Sequence, residues 1–402
     1  MKNGQTMISV FDQKEDCCGC TACQHICPNG AIEMKPDEEG FLYPDINQDE
    51  CTNCGLCRKI CAFQNGYDTS DNLSTPYVFA AKHKDEKVRM ISSSGGAFSA
   101  ISDYIIDKNG QVCGAAFDAD MNVVHQIAST KEERDKLKGS KYVQSTLGNI
   151  FVEVRGLLEK QKLVLFTGTP CQNAGLRSFL GDIDSRNLFL CDIVCLGTPS
   201  PLMWKEHIAD LESRGNGKIV QYYCRSKVKG WHEHNEMVVY ENGKKDYKSI
   251  LSQKHKVLFH SHNILRPSCH QCKYTNLTRP SDITIADFWG IENCMPDFDD
   301  NKGVSLVLIN SAKGQGLFED IKEKLIYRES NVKDCLQPHL QYPAKPSARR
   351  KQFWEDYRLY GYEYIVKKYA GNNFKSKAKA AAKTILSKVG VLNIVRKLFR
   401  PA

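Results

Sequence analysis

Between residues 77 and 200 the apolar positions alternate between two rhythms. Unbroken apolar runs at 77–81, 111–117, 163–166 and 188–195 have the length of buried strands. The stretches 97–106, 131–137 and 147–161 carry apolar residues at helical spacing, and another helix is expected to begin near Pro199. Strands and helices in turn predict an α/β domain. No G-x-G-x-x-G follows any of these strands and no G-x-x-x-x-G-K-[ST] occurs, so neither a dinucleotide fingerprint nor a P-loop is supported.

A different pattern closes the chain. Phe374, Ala378, Ala381, Ile385, Val389, Leu392, Val395 and Phe399 step by three or four, which predicts an amphipathic helix with Gly390 as its weak point. Residues 372–402 hold eight basic residues (Lys375, Lys377, Lys379, Lys383, Lys388, Arg396, Lys397, Arg400) and no acid, which accounts for the whole net charge of +8. A basic amphipathic helix on a charge-balanced body suits an anionic membrane surface or an acidic partner. The other reading is a helix packed on the body with solvated lysines. Nucleic acid is disfavoured, since the tail is nearly without aromatic residues to stack on bases.

At 402 residues and 41% hydrophobic content the chain has room for two or three domains. The N-terminus lacks the apolar core of a secretory signal and no stretch approaches a membrane span. The expected location is therefore cytoplasmic, with contact to the inner face of the membrane only through residues 372–402.

Nine of the 18 cysteines lie between Cys17 and Cys61. Eight of them write C-x2-C-x2-C-x3-C twice: Cys17, Cys20, Cys23, Cys27, then Cys51, Cys54, Cys57, Cys61. This is the spacing of two-cluster bacterial ferredoxins, in which the fourth cysteine of each run ligates the other 4Fe-4S cube. It predicts one cluster on Cys17, Cys20, Cys23 and Cys61 and a second on Cys51, Cys54, Cys57 and Cys27. Pro28 follows Cys27 as in that pattern, whereas Ala62 follows Cys61. Zinc favours separated pairs, and disulfides need an oxidising compartment. Cys18 is read as a bystander.

Six segments in order carry a wider resemblance. They are residues 92–96 (SSSGG), 138–145 (KGSKYVQS), 168–172 (GTPCQ), 194–200 (VCLGTPS), 225–231 (RSKVKGW), and Cys269-His270-Gln271-Cys272 followed by Ala286-Asp287. Over about residues 77–350 the chain resembles the family of coenzyme F420 hydrogenase/dehydrogenase beta subunits, with a ferredoxin unit fused in front. The resemblance implies a multi-domain α/β protein. An α+β bacterial-ferredoxin-like domain at 1–70 would precede an α/β flavin-binding domain at 76–350, and 351–402 would form a basic helical tail.

The resemblance further implies an iron-sulfur flavoprotein oxidoreductase. FAD would exchange a hydride with a small redox partner or substrate while 4Fe-4S clusters carry single electrons. The other function class is an electron-transfer adaptor serving another oxidoreductase, with surface polysaccharide synthesis as the setting that bacterial members without the deazaflavin suggest. Cys171, Cys195, Cys269 and Cys272 match ligand positions of a third cluster in hydrogenase members, although a C-x-x-C with two distant cysteines also suits zinc or a redox disulfide. Cys191 is a fallback ligand; Cys113, Cys224, Cys294 and Cys335 are expected to be incidental.

Ser94, Gly95 and Gly96 before an expected helix suit a phosphate or a flavin edge, or an ordinary helix cap. Lys141 offers a charge and Tyr142 a ring to an anionic flavin; Lys227 and Trp231 are ambiguous. Asp287 is a flavin-orienting candidate or a turn residue. Leu196 stands where bacterial members often carry histidine, so another acid would be needed. His232, His234, His260, His262 and His270 are the candidates, and no catalytic residue is assigned.

Overall fold

The computed structural model describes residues 8–214 and 216–371. The charged stripe expected at 372–402 lies outside them. Among the described residues no helix is long and apolar enough to cross a membrane.

The two cysteine runs have the same local backbone. In the first, Gly19 and Thr21 flank Cys20 with φ of 74° and 66°; in the second, Asn53 and Gly55 flank Cys54 with φ of 56° and 76°. Left-handed residues on both sides of a cysteine curl the loop around its thiol. A short helix then starts at once in each run, Ala22–Ile26 and Leu56–Lys59. Strands β1 (Ile32–Pro36) and β2 (Leu42–Ile46) join the runs as an antiparallel hairpin.

The body contains β3 (Asn72–His83), β4 (Gln111–Phe117), β5 (Val123–Ala128), β6 (Val164–Gly168) and β7 (Leu188–Ile193), then β8 (Ile219–Ser226), β9 (Asn235–Tyr240) and β10 (Lys245–Asp246). β11 (Ile283–Asp287), β12 (Ser305–Ser311) and β13 (Leu325–Ser330) complete it. Eight strands form one mixed sheet in the order β13-β3-β12-β11-β7-β6-β4-β5, while β8, β9 and β10 form a separate small sheet. Within the large sheet β4, β6, β7 and β11 run parallel and the outer strands antiparallel. The carboxyl ends of four parallel strands therefore open on one edge, which is where open α/β sheets place their sites.

The fold is mixed α/β, as expected. Strands 77–81 and 111–117 fall inside β3 and β4, helix 97–106 falls inside Ala97–Asp107, and the run 163–166 overlaps β6, which starts one residue later at Val164. The run 188–195 is strand only to Ile193, which leaves Cys195 in the loop beyond β7. The helix foreseen near Pro199 runs Pro201–Glu212, with the Ser200 hydroxyl accepting from the Met203 amide.

One face of the sheet packs on helix Ala97–Asp107 through Ile101 and Ile105 and on helix Ala312–Ile321 through Leu317 and Phe318. The other packs on helices Ile150–Glu159 and Pro170–Leu180 through Phe151, Val154, Ala174 and Phe179. That second core includes Cys18, Cys20, Ala22, Ala62 and Phe63, so the cysteine-rich unit shares a hydrophobic core with the body. Helix Arg350–Tyr369 belongs to the body as well: it buries Phe353, Trp354 and Ile365 against Met203, Leu258 and Ile264. Its Arg350 clamps Glu39 of the β1–β2 turn, with Nη1 donating to Oε1 at 2.8 Å.

Candidate functional site: three cysteine groups and the carboxyl edge

Two hollows open in the cysteine-rich unit, each holding about 340 Å³ of non-atom space that is partly open to solvent. Cys17, Cys20, Cys23 and Cys61 line one, with Cys18 beside them; Cys27, Cys51, Cys54 and Cys57 line the other. Among the eight cysteines of the two runs, each hollow thus takes three from one run and the fourth from the other, in the pairing the spacing predicts. All 18 cysteines are free. Among the described residues no group of three or more His, Cys, Asp or Glu closes around a single ion. A four-iron cube holds its thiolates further apart than one ion does, and a set of four thiols per hollow fits that cube.

The two hollows differ in exposure. Cys17, Cys20 and Cys23 are buried, whereas Cys54 is exposed and Cys51 half-buried. Burial pushes the Cys17 thiol up to about 11 against the opposing charge of Arg266, so loading a cluster there must displace protons. Gln64 donates to Cys61 Sγ at 3.5 Å and to the Val10 carbonyl at 2.7 Å, which ties the crossing cysteine to the first run.

The third group forms at the carboxyl edge. Cys171 is the second residue of helix Pro170–Leu180, which starts directly after β6 with a Thr169–Gln172 capping box. Cys195 follows β7. Cys269 lies in the 3-10 turn Pro267–Gln271, with Cys272 next to it. Cys195 is within electrostatic reach of Cys269, Cys171 and Cys272. The Thr198 amide donates to Cys269 Sγ at 3.3 Å, and the Thr169 hydroxyl lies 3.2 Å from Cys171 Sγ. Gly197 makes this approach possible: its φ is 151°, and a Cβ there would come within 3.2 Å of Cys269 Cβ.

Arg279 holds the segment that follows Cys272. It ion-pairs with Asp192 at 3.1 Å, both side chains essentially buried, and donates to the carbonyls of Tyr274 and Ile193. The remaining thiols lie elsewhere: Cys191 in the core on the opposite face, Cys113 in the second core, Cys224 under the small sheet, Cys294 and Cys335 beside Phe288.

Cys18 is the link that local spacing did not reveal. It lines the first hollow beside Cys20 and belongs to the core on which Cys171 packs. The first hollow and the third group therefore adjoin, with Gly175 of the Cys171 helix pressed on Cys20. Arg266 was also not singled out, because an arginine between a leucine and a proline carries no local signal.

The residues expected to hold flavin gather at the same edge, and several are committed to the protein. Ser94 Oγ donates to the Val304 carbonyl at 2.7 Å. Gly95 is pressed on the sheet, since a Cβ would meet the Ala81 oxygen at 2.1 Å. Gly96, with φ of 93°, is the N-cap of helix Ala97–Asp107. Lys141 Nζ donates to the carbonyls of Lys136, Leu137 and Lys138 at 2.9–3.0 Å, and Lys227 Nζ donates to those of Arg89, Ser94 and Lys302. Burial pulls both ammonium groups down to about 7, so neither is a fixed charge. Polar atoms left open at the edge include the Tyr142 hydroxyl, whose ring lies 4.8 Å from Phe259, and one oxygen of Asp287.

Asp287 Oδ1 accepts from Trp231 Nε1 at 2.6 Å. Trp231 stacks on Trp289 at 4.9 Å, and the other flank of Trp289 carries His234 at 4.8 Å and the Arg225 guanidinium at 4.8 Å. Arg225 Nη1 donates to His234 Nδ1 at 2.8 Å. Burial, then the Arg225 charge, holds His234 at about 4, and His260 and His270 are also pushed down by burial. His232 pairs with Asp299 at 2.7 Å, and His262 Nδ1 lies 2.9 Å from the Lys345 carbonyl.

Comparison with known proteins places this arrangement. Residues 16–65 match the 4Fe-4S dicluster domain, so the chain is an iron-sulfur protein of the electron-transfer class. Residues 161–334 match the family described as coenzyme F420 hydrogenase/dehydrogenase, C terminus of the beta subunit, and over that stretch the chain is related to this family. Among the components of the F(420)H(2) dehydrogenase of Methanosarcina mazei, the one lettered F is 24% identical over 198 residues, 47% of this chain and 56% of that protein. The chain thus matches little more than half the length of that relative. An uncharacterized ferredoxin of Methanocaldococcus jannaschii is 32% identical over 54 residues, 13% of this chain and 69% of the ferredoxin. A chain from the F420-reducing [NiFe] hydrogenase complex of Methanosarcina barkeri superposes over 66% of this chain and 85% of its own, at 18% identity and a TM-score of 0.45, a level that supports no argument about the site.

Proposed function

We propose that the protein is an iron-sulfur flavoprotein oxidoreductase: a two-electron hydride exchange at FAD is coupled to one-electron transfer through three 4Fe-4S clusters. The observation that carries the reading is the convergence of Cys171, Cys195, Cys269 and Cys272 at the carboxyl edge, beside the first ferredoxin hollow, where Cys18 shares a core with Cys171 and Gly175 presses on Cys20. An adaptor that only passed electrons through its ferredoxin unit would have no need of a third thiol group at the sheet edge.

In this reading Cys17, Cys20, Cys23 and Cys61 hold one cluster, Cys27, Cys51, Cys54 and Cys57 the second, and the edge cysteines the third. FAD, when bound, supplies the conversion between hydride and single electrons. The Tyr142 hydroxyl and Asp287 would hold it. Ser94, Gly95, Gly96 and Lys141 act one step back, fixing the loops 92–96 and 138–145 that frame the edge; the Ser140 amide donates to Ser93 Oγ at 2.9 Å and joins those loops. His234, neutral at pH 7, serves as a hydrogen-bond partner of Arg225 rather than as an acid. The redox partner is a protein or a small redox substrate, and the tail charge supports docking on an anionic membrane surface or an acidic partner. Releasing the flavin by denaturing anaerobically purified protein tests the reading: FAD near one per chain is expected, and a colourless supernatant would favour the adaptor.

A further inference from the structure

We propose that Arg266 and Cys18 form the electron-transfer contact between the third cysteine group and the first ferredoxin hollow, and that the Arg266 charge sets the potentials on both sides of it. The inference rests on the reading above that the edge cysteines hold a four-iron cluster. Arg266 is 1% exposed and lies three residues before Cys269. Its Nε donates to the Cys17 carbonyl at 2.8 Å, Nη2 reaches Cys17 Sγ at 3.6 Å and the Leu42 carbonyl at 2.9 Å, and Nη1 donates to Gln144 Oε1 at 2.9 Å. The guanidinium also lies over Tyr43, 4.1 Å from the ring centre.

Among the described residues no carboxylate pairs with this buried cation. The acidic groups nearest its charge are the Cys17, Cys18 and Cys269 thiols and the Tyr43 hydroxyl, the thiols coming from both sides of the contact. A buried, uncompensated guanidinium is costly, and thiolate-bound clusters are the countercharge on offer. Cluster potentials respond to nearby charge and to hydrogen bonds at sulfur, and a positive neighbour favours the reduced, more negative state. Cys18 fills the gap: it lines the first hollow with Cys17 and Cys20 and lies in the core on which Cys171 and Cys272 pack. Gln144 braces the same loop, with Nε2 donating to the Cys18 carbonyl at 3.0 Å. With four-iron clusters held by these two sets of cysteines, the step across Arg266 and Cys18 would be the transfer of a single electron, one side oxidised by one electron and the other reduced by one, with no bond or proton changing place. The second cluster, on the exposed side at Cys54, then faces the partner.

The test is a redox titration followed by electron paramagnetic resonance on the full-length loaded protein and its Arg266→Gln and Arg266→Lys variants. Arg266→Gln should move the first and third midpoints to more negative potential and leave the second in place; Arg266→Lys, which keeps the charge, should stay near wild type. Unmoved midpoints, or an equal shift in all three, would overturn the proposal. Cys18→Ala keeps the test decisive if Arg266→Gln fails to fold. It should retain about twelve irons per chain, from four per cube, yet weaken the magnetic coupling between the first and third clusters; loss of four irons, or unchanged coupling, would contradict it. A wild-type count of about eight irons, two cubes' worth, removes the functional reading and this inference together. Twelve irons with unmoved midpoints remove this inference alone.

Discussion

Cys20 lies directly against Gly175: a Cβ added at position 175 would stand 2.7 Å from both Cβ and Sγ of Cys20. This is how closely the ferredoxin unit and the helix that begins with Pro170 and Cys171 approach each other. The distance between the first cluster and the third group is decided by the absence of one methyl group.

Gly175→Ala should therefore separate the two units or strain them. Alanine gains helix propensity, up to ~1 kcal/mol, but overpacking a closed contact costs about 1–3 kcal/mol. A net loss of thermal stability is expected, together with lower iron content after anaerobic purification. A variant as stable as wild type with full iron would show that the contact can relax.

Breaking the buried Arg279–Asp192 pair should be more severe. Arg279→Met leaves the Asp192 carboxylate without its cation and two carbonyls without their donor, a loss of about 3–5 kcal/mol for a buried pair deprived of one partner. Because Arg279 ties the segment after Cys272 to β7, iron bound at the third group should fall first. Denaturant unfolding and iron analysis of the same sample check both.

Acid should weaken the loop that frames the edge. Burial pushes the Asp300 carboxyl up, but bonds from Arg89 and the Lys302 amide, with the charges of Arg89 and Lys82, bring it down to about 2 from 3.8. A depressed carboxyl contributes stability that is present above pH 4 and is lost as pH falls toward about 2. Asp300→Asn should thus be less stable than wild type at pH 7, with the gap closing on acidification through that window. A gap independent of pH between 7 and 2, followed by denaturant midpoints, would contradict the assignment.

Deleting residues 372–402 should abolish pelleting with anionic vesicles while leaving binding to neutral vesicles at background. The charge of those residues is the whole basis for the expectation; unchanged pelleting would point to an acidic partner or to a solvated tail.

The grouping of the ferredoxin cysteines around two hollows was legible because it follows from spacing: a C-x2-C-x2-C-x3-C run bends its own backbone around three thiols and carries the fourth to the neighbouring hollow. Strands β4, β6 and β7 were legible because both faces are covered, which makes their sequences continuously apolar. β12, equally buried from Ser305 to Ser311, was not picked out, nor was β13, whose exposed Ile326 and Tyr327 blur its pattern. Cys18 looked incidental because Cys171, which packs on the same core, is more than 150 residues away, and only folding brings the two into one core. Lys141 read as a ligand for an anion, whereas its ammonium closes on three carbonyls at the end of the segment before it, a role that only the folded loop reveals.

The most direct test of the account is the iron count of wild type beside Cys195→Ala, both purified anaerobically. The account predicts about twelve irons per chain falling to about eight, one cube lost, with the N-terminal signals intact. About eight irons in both proteins would mean that the thiols at the carboxyl edge hold no cluster, and that the electron path ends in the ferredoxin unit.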